Sequence, residues 1–394
     1  MSKELITNET DVIILGAGAS GLMCARAAAR RGRRVIVLDH GQKAGRKVII
    51  SGGGHCNVTN LGADHTHYIS SNPNFARSAL SRFSPQSILE FLDEHEIKHE
   101  EREDGKVFLK SIALSLVNAL LVDCKQANVE IVYGARLKNV KKENDTFRVD
   151  TEKRSYSAQN LVIATGGKSW KSAGATSVGY QLARQFGHEI TELHPGLVPL
   201  TLKGSALFKG LSGISFKASV RTSSAEFTDD VLITHQGISG PAVLQASSHW
   251  KDGQPLILNM LPDINVKEWL KEYRHEKMEL KTLLATVMSK RLAHNLAEYC
   301  GRSIPMLNIS DKQLRLISST LESLELIPTG TEGFARAEVT VGGVDTRLVS
   351  SKTMESQITS SLFIIGEVLD VTGELGGFNL HWAWVSARAA GDHL

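Results

Sequence analysis

Gly16, Gly18 and Gly21 follow the apolar run Val12-Ile13-Ile14-Leu15, and a second apolar run ends on Asp39. Glycines at this spacing, between a strand and a helix, build a site for a pyrophosphate. Gly16 permits the tight turn, Gly18 lets the backbone approach the phosphates, and Gly21 lets the helix lie close to the strand. Ala17, Ala19 and Ser20 complete the loop, whose N–H groups and helix dipole favour anions. Asp39 falls close to the roughly 20-residue distance expected of an acid that binds a ribose hydroxyl pair. An acid there favours an unphosphorylated ribose, hence FAD or NAD over NADP. Small residues at Ala25, Ala28 and Ala29 and a stop at Gly32 support the same strand, helix, strand unit.

Later glycine turns choose between the two dinucleotides. Ser51-Gly52-Gly53-Gly54-His55-Cys56-Asn57 forms a second loop. The strand Leu161 to Ala164 empties into Thr165, Gly166 and Gly167, and Leu362 to Ile365 runs into Gly366 and Glu367. Gly376, Gly377, Phe378, Asn379 and Leu380 then open a last helix. An open α/β sheet admits its ligand at the carboxyl ends of its strands, so these turns are expected to converge on one elongated molecule. Glu367 can accept hydrogen bonds from ribityl hydroxyls, which nicotinamide cofactors lack. The N–H groups from Gly377 to Leu380 can stabilise negative charge on a reduced flavin ring. FAD is therefore the expected cofactor.

The elements that position these turns read as an α/β fold. A glutathione-reductase-type FAD-binding Rossmann domain is expected over 1–190 and 335–394, with an inserted β-rich substrate domain over 191–334 whose helical part covers 265–326. Helix is expected from Phe75 to His95 with a break at Pro85, and strands from Glu130 to Val140, Thr146 to Thr151 and Glu338 to Val344. A length of 394 residues supports more than one domain. A formal charge of +3 does not imply a strongly basic surface, so composition argues against nucleic acid as partner. The acids Glu4, Glu9 and Asp11 do not fit a signal peptide, no run of about 18 apolar residues spans a membrane, and four scattered cysteines fit a reducing compartment, so a cytoplasmic protein is expected. The oligomeric state stays open.

The chain resembles the bacterial YhiN/BaiN-like FAD flavoproteins, a group that includes aminoacetone oxidase. The motifs that carry the resemblance are the Gly16 to Gly21 loop with Asp39, Gly45-Arg46-Lys47, Ser51 to Asn57, Ala164 to Gly167, Thr234 to Pro241, Gly342-Gly343, Gly366 to Asp370 and Gly376 to Asn379, in order along nearly the whole chain. The resemblance implies an FAD domain, a β-barrel-like insertion and a small helical piece. It implies that the Gly16 loop holds the pyrophosphate and Asp39 the adenosine ribose, with Gly52 to Asn57 and Gly376 to Asn379 framing the ring. His40, Arg46, Lys47, Ala135 and Asp370 complete the expected cofactor contacts. His55, where arginine is usual, and His381, where glutamine is common, depart from the pattern and leave the substrate open.

Three residues are candidates for catalysis. His235 precedes Gly240-Pro241 and suits proton transfer near neutrality. Cys56 is either a redox thiol or a small buried residue beside the ring, and His381 lies at the start of the last helix. His95-Glu96-Ile97-Lys98-His99 spells HExxH, but the solvated run Glu100 to Asp104 argues against a catalytic zinc, and no metal site is expected. His65 and His67 read as unremarkable members of a polar loop. The expected function is an FAD-dependent oxidoreductase passing two electrons between a small organic substrate and flavin. It would be an amine oxidase or an NAD(P)H-linked reductase, NAD(P)H binding transiently because no second GxGxxG with flanking strands is present. The alternatives are an FAD-containing binding protein touching RNA through Lys267 to Arg291, and a flavin-free NAD-dependent dehydrogenase.

Overall fold

The computed structural model describes residues 7–204, 206–301 and 304–394; Glu4 lies outside them. The chain divides into two compact units, residues 1–194 with 339–394, and residues 195–338.

The first unit is built on a parallel sheet. Its strands run in the order Glu130–Tyr133, Val35–Asp39, Thr7–Leu15, Ser155–Ile163 and Leu362–Ile364. Val12, Ile13, Ile14 and Leu15 are all buried, the mark of a parallel strand covered on both faces. Full burial of such a side chain contributes roughly 1.5–3 kcal/mol. Ser155–Ile163 divides its second edge: Ser155 to Ala158 pair antiparallel with Thr146–Thr151, while Leu161 to Ile163 pair parallel with Leu362–Ile364. The register sets Leu15 beside both Leu38 and Ile163, so the strands end level and release their glycine turns at one edge.

Ala19–Arg30 packs against the last helix, Phe378–Gly391. A side chain at Gly391 would meet the Ala27 Cβ at 2.5 Å, which is why both helices carry small residues there. Trp382 and Trp384 are fully buried, and their indole N–H groups donate to Gly366 O at 3.3 Å and Val58 O at 2.9 Å. These bonds tie the helix to two of the glycine-bearing segments.

Some expected elements are shorter or divided. Glu130 to Val140 is not one strand: the chain leaves the parallel sheet at Gly134, whose φ is +67°, and re-enters as Leu137–Glu143 in a hairpin with Thr146–Thr151. Gly134 N donates to Gly41 O and Ala135 N to Asp39 O, so the break itself is a built connection. The helix expected from Phe75 is two, Arg77–Leu80 and Pro85–Glu94, because Ser84 before the proline is extended. Glu338 to Val344 reduces to Val339–Val341, stopped by Gly342, where a Cβ would lie 2.0 Å from Glu192 O.

The second unit has its own core and a seven-stranded sheet: Leu324–Leu326, Leu256–Asn259, Ser215–Arg221, Glu226–Ile233, Gly237–Ser239, Leu200–Thr201 and Gly330–Thr331. Its ladders are antiparallel. Helices Val266–Glu272, Leu280–Leu284, Lys290–Tyr299 and Asp311–Glu322 occupy the stretch expected to be helical.

Candidate cofactor site and its surroundings

Gly16 and Gly21 sit where a side chain would clash. A Cβ on Gly16 would come within 2.5 Å of Ala164 O, and one on Gly21 within 1.9 Å of Gly16 O, so helix and turn can close only on glycine. Gly18 differs: a Cβ there would meet nothing within 4 Å. Its absence leaves open space at the start of Ala19–Arg30, the place a pyrophosphate needs. The residues present thus fit a dinucleotide.

Asp39 ends its strand with one carboxylate oxygen accepting from Ala17 N at 2.7 Å and the other from Gly41 N at 2.6 Å. Arg46 approaches within 3.8 Å of that carboxylate and 3.3 Å of His40 Nε2. Ala135 is joined to the same strand end through Asp39 O. His40, Arg46 and Ala135 are therefore gathered around the acid expected to hold the ribose.

Glu367 is reached from three directions. Lys47 Nζ donates to it at 2.6 Å, Ser169 Oγ at 3.0 Å and Thr340 N at 3.0 Å, and Lys47 also bonds Ser169 Oγ at 2.7 Å. A Cβ on Gly167 would come within 2.8 Å of this carboxylate. Gly166 turns at a φ of +71°, and the buried Thr165 hydroxyl has no partner among the described residues. Replacing Glu367 by glutamine keeps its shape but leaves Lys47 without its counter-charge. We expect FAD binding to weaken by about 10-fold or more, the loss of one charge-assisted bond. A titration of apoprotein with FAD checks this, and an unchanged Kd would confine Glu367 to holding the protein together.

Gly376 and Gly377 take φ values of +124° and +100° to start the last helix, and a side chain at Gly377 would strike Thr59 O at 2.4 Å. Asn379 braces this loop from within, donating to Gly373 O at 2.7 Å and Glu374 O at 3.2 Å, and Asn60 holds Gly376 O at 3.0 Å. The N–H groups of Phe378, Asn379 and Leu380 belong to the first helical turn and have no intrahelical acceptor. Gly52, Gly53 and Gly54 all have positive φ, and the last two would carry a Cβ into open space. Ser51 Oγ donates to Val48 O, and the Asn57 Oδ1 atom is buried beside Gly377 without a partner among the described residues. Asp370 Oδ2 accepts from Ser71 N at 2.9 Å and Ser71 Oγ at 2.5 Å.

Of the three catalytic candidates, Cys56 and His381 belong to the first unit and His235 to the second. Cys56 is wholly buried, with its thiol pushed up to about 11 by burial, partly offset by Ser51, and all four cysteines are free. Such a thiol stays protonated and shielded, unlike a reactive one. His381 is also buried; burial alone lowers it to about 4, so the ring is neutral near pH 7. Its Nδ1 meets Thr59 Oγ1 at 2.9 Å and its Nε2 has no partner among the described residues. His235 sits in the second unit at the exposed tip of the turn between Glu226–Ile233 and Gly237–Ser239, where Thr234 Oγ1 accepts from Gln236 N and Gly237 N. The HExxH run is not one helix: His95 caps Pro85–Glu94, Glu96 has a φ of +53° and His99 begins a strand.

A parallel sheet that brings these separate glycine turns to one edge defines a Rossmann-type FAD-binding fold of the oxidoreductase class. The chain belongs to the HI0933-like family, whose description as "HI0933-like protein Rossmann domain" matches residues 10–393. It is 40% identical over 393 residues to a ribosomal RNA dihydrouridine synthase of Escherichia coli K12, covering 98% of both chains. It is 32% identical over 403 residues to a 3-dehydro-bile acid delta(4,6)-reductase of Clostridium scindens, covering 96% of this chain and 97% of the other. A 3-ketosteroid-delta4-(5alpha)-dehydrogenase from Rhodococcus jostii RHA1 shares the fold, with a TM-score of 0.51 at 13% identity over 99% and 98% of the two chains. Among the described residues, no helix is long and apolar enough to cross a membrane.

Proposed function

We propose that the protein is an FAD-dependent reductase of a carbon–carbon double bond conjugated to a carbonyl, and that its substrate is a uridine of ribosomal RNA. The observation that carries this reading is the 40% identity to the E. coli rRNA dihydrouridine synthase across 98% of both chains. Forming dihydrouridine means saturating the 5,6-bond of a uracil ring, which is conjugated to the 4-carbonyl. A bile acid delta(4,6)-reductase saturates the same type of bond, so the two named relatives share one reaction. That shared chemistry favours a reductase over an amine oxidase.

In this reading Gly18 and the start of Ala19–Arg30 hold the pyrophosphate, Asp39 the ribose, and Glu367 with Lys47 and Ser169 the ribityl side. The Gly376 to Leu380 turn places uncompensated N–H groups at the ring. Bound FAD supplies hydride transfer, with a nicotinamide dinucleotide as donor. Cys56 keeps water from the site and takes no part in redox exchange, and His381 stays neutral beneath Thr59.

A formal charge of only +3 argued against nucleic acid, and in the helical stretch acids such as Glu268, Glu272, Glu276 and Glu279 alternate with the bases. Several of those bases are indeed paired: Lys271 with Glu268 at 2.8 Å, Lys281 with Glu279 at 2.7 Å, and Arg274 with Asp311 at 2.5 Å. Lys209 and Lys290 are exposed and have no acidic partner among the described residues. Asn295 binds Lys209 O at 3.0 Å and Arg291 binds Gly210 O, which gathers these bases at the start of Lys290–Tyr299. We expect the double variant Lys209→Glu, Lys290→Glu to bind rRNA about tenfold more weakly, with a shallower salt dependence, by about one unit of slope per lysine. Filter binding across a salt series reads both effects, and an unchanged slope would remove the two lysines from the RNA surface.

Production of the protein in an E. coli strain lacking its own rRNA dihydrouridine synthase tests the function. Dihydrouridine should reappear in nucleoside digests of the rRNA. Flavin-loaded protein that restores none would overturn the RNA substrate. Oxidation of the reduced protein by a 3-oxo-Δ4 steroid would then favour a steroid-like enone, as the bile acid relative does.

A further inference from the structure

His67 and Glu374 form an open pair beside the turn that begins the last helix. His67 Nδ1 and Glu374 Oε2 are 2.8 Å apart. The imidazole lies flat on Phe378, centroids 4.5 Å apart and planes 21° from parallel. Both residues are clamped by one short ladder, in which Tyr68 pairs with Gly373 and Glu374 N donates to His67 O at 3.0 Å. Asn379 fixes the Glu374 carbonyl from the helix side. Nε2 has no partner among the described residues, and about a third of the side chain is exposed. A carboxylate on Nδ1 sets the tautomer and leaves Nε2 as the nitrogen that exchanges protons. The pair is thus rigid on its protein side and free on its outer side.

We propose that His67, oriented by Glu374, is the proton donor of the reduction. This rests on the reductase reading given above and adds the residue that completes it. Saturating a conjugated double bond needs a hydride at the carbon far from the carbonyl and a proton at the carbon next to it. The hydride brings both electrons and is what FAD supplies when reduced by a nicotinamide donor. The proton comes from this chain: the Nε2–H bond of the imidazolium breaks as the new C–H bond forms, and its electron pair stays on nitrogen. The neutral ring takes its next proton from solvent at its open edge, while Glu374 remains a carboxylate.

The test uses FAD-loaded wild type, His67→Ala, His67→Gln and Glu374→Gln. Each is reduced anaerobically and mixed either with rRNA from the E. coli strain that lacks its own synthase or with a 3-oxo-Δ4 steroid. Flavin content and absorbance should match wild type in every variant, and ferricyanide should reoxidise all of them equally. Reoxidation by the substrate should slow by about 10²- to 10⁴-fold in His67→Ala, and added imidazole should restore part of it. His67→Gln should be as slow without rescue, and Glu374→Gln intermediate. Nitrogen-15 spectra of wild type should show the neutral His67 ring protonated on Nδ1, a preference lost in Glu374→Gln. Wild-type rates in His67→Ala, rates restored by His67→Gln, or loss of flavin from either would overturn the assignment. If wild type is reoxidised by neither probe, the reductase reading falls and the proton donor with it; if only His67→Ala matches an active wild type, the donor alone falls.

Discussion

Gly18→Val should give a folded protein without cofactor, and Gly21→Ala a protein damaged in its fold. The two glycines are neighbours in one motif, yet their surroundings are opposite. Gly18 has φ −83° and ψ −169°, extended backbone open to any residue, and its missing side chain faces empty space. Valine there fills the volume the phosphates need, and its Cβ meets no described protein atom within 4 Å, so the apoprotein should melt as wild-type apoprotein does. FAD affinity should fall at least about 100-fold, or roughly 2.7 kcal/mol. At Gly21 an added methyl would sit 1.9 Å from Gly16 O and 3.5 Å from the Ala164 Cβ. Helix, turn and neighbouring strand end must all shift, an overpacking of about 3 kcal/mol, or ~6–12 °C in a domain of this size. The comparison has to be made on apoproteins, since bound FAD would itself raise Tm by mass action. A yellow Gly18→Val protein would move the pyrophosphate elsewhere.

The contrast shows what the sequence made legible. Spacing alone identified the strand, turn, helix unit, because each glycine answers a local steric demand that recurs wherever that unit forms. The short apolar strands ending in Gly166 and Gly366 were readable for the same reason, and the parallel sheet aligns them at one edge. Partnerships between distant segments were not readable. Lys47 meets Glu367 across 320 positions and His67 meets Glu374 across 307; Lys47 and Glu367 each sit in a legible motif but nothing local pairs them, and no pattern marks His67 or Glu374. His67 therefore read as one more polar-loop residue, although the ladder between Tyr68 and Gly373 carries it to the helix start. The one available signal was its place two residues before Ile69, in a loop ahead of a short strand, which is too weak to assign a role. Asp370 lies in a recognisable motif, yet its bond to Ser71, 299 positions away, was equally unreadable. The division of Glu130 to Val140 has a similar cause, since apolar alternation persists through Gly134 while the chain changes partner strands.

Asp123→Ala is expected to be the most destabilising of the substitutions considered, at about 3–5 kcal/mol. Asp123 is buried and accepts from Arg26 Nε, from Arg30 at 3.0 Å and lies 3.2 Å from His95 Nε2. Arg26 is buried as well, stacked over Phe91 at 4.9 Å, and its remaining acid, Glu94, is 3.4 Å away and largely exposed. Removing the carboxylate strands a guanidinium inside the first unit between Ala19–Arg30 and Leu114–Gln126, whereas the wild-type pair is compensated. Burial alone would raise the Asp123 carboxyl, but Arg26, His95 and Arg30 outweigh it and hold it below the usual 3.8. A lowered acid contributes stability that is complete above its unfolded pKa and disappears as pH falls through the folded one, so this term fails only below pH 3.8. His381 acts earlier. Its folded value of about 4 lies below the ordinary 6.5, so the unfolded chain takes up a proton first and stability drains away between those two values as pH falls. Urea unfolding at pH 7.5, 5.5 and 4.5 should therefore show wild type weakening before Asp123 titrates at all. His381→Gln should flatten that early loss, while the deficit of Asp123→Ala should stay constant over the same range. A deficit that changes already between pH 7.5 and 5.5 would mean that the loss is not that of the carboxylate's charge.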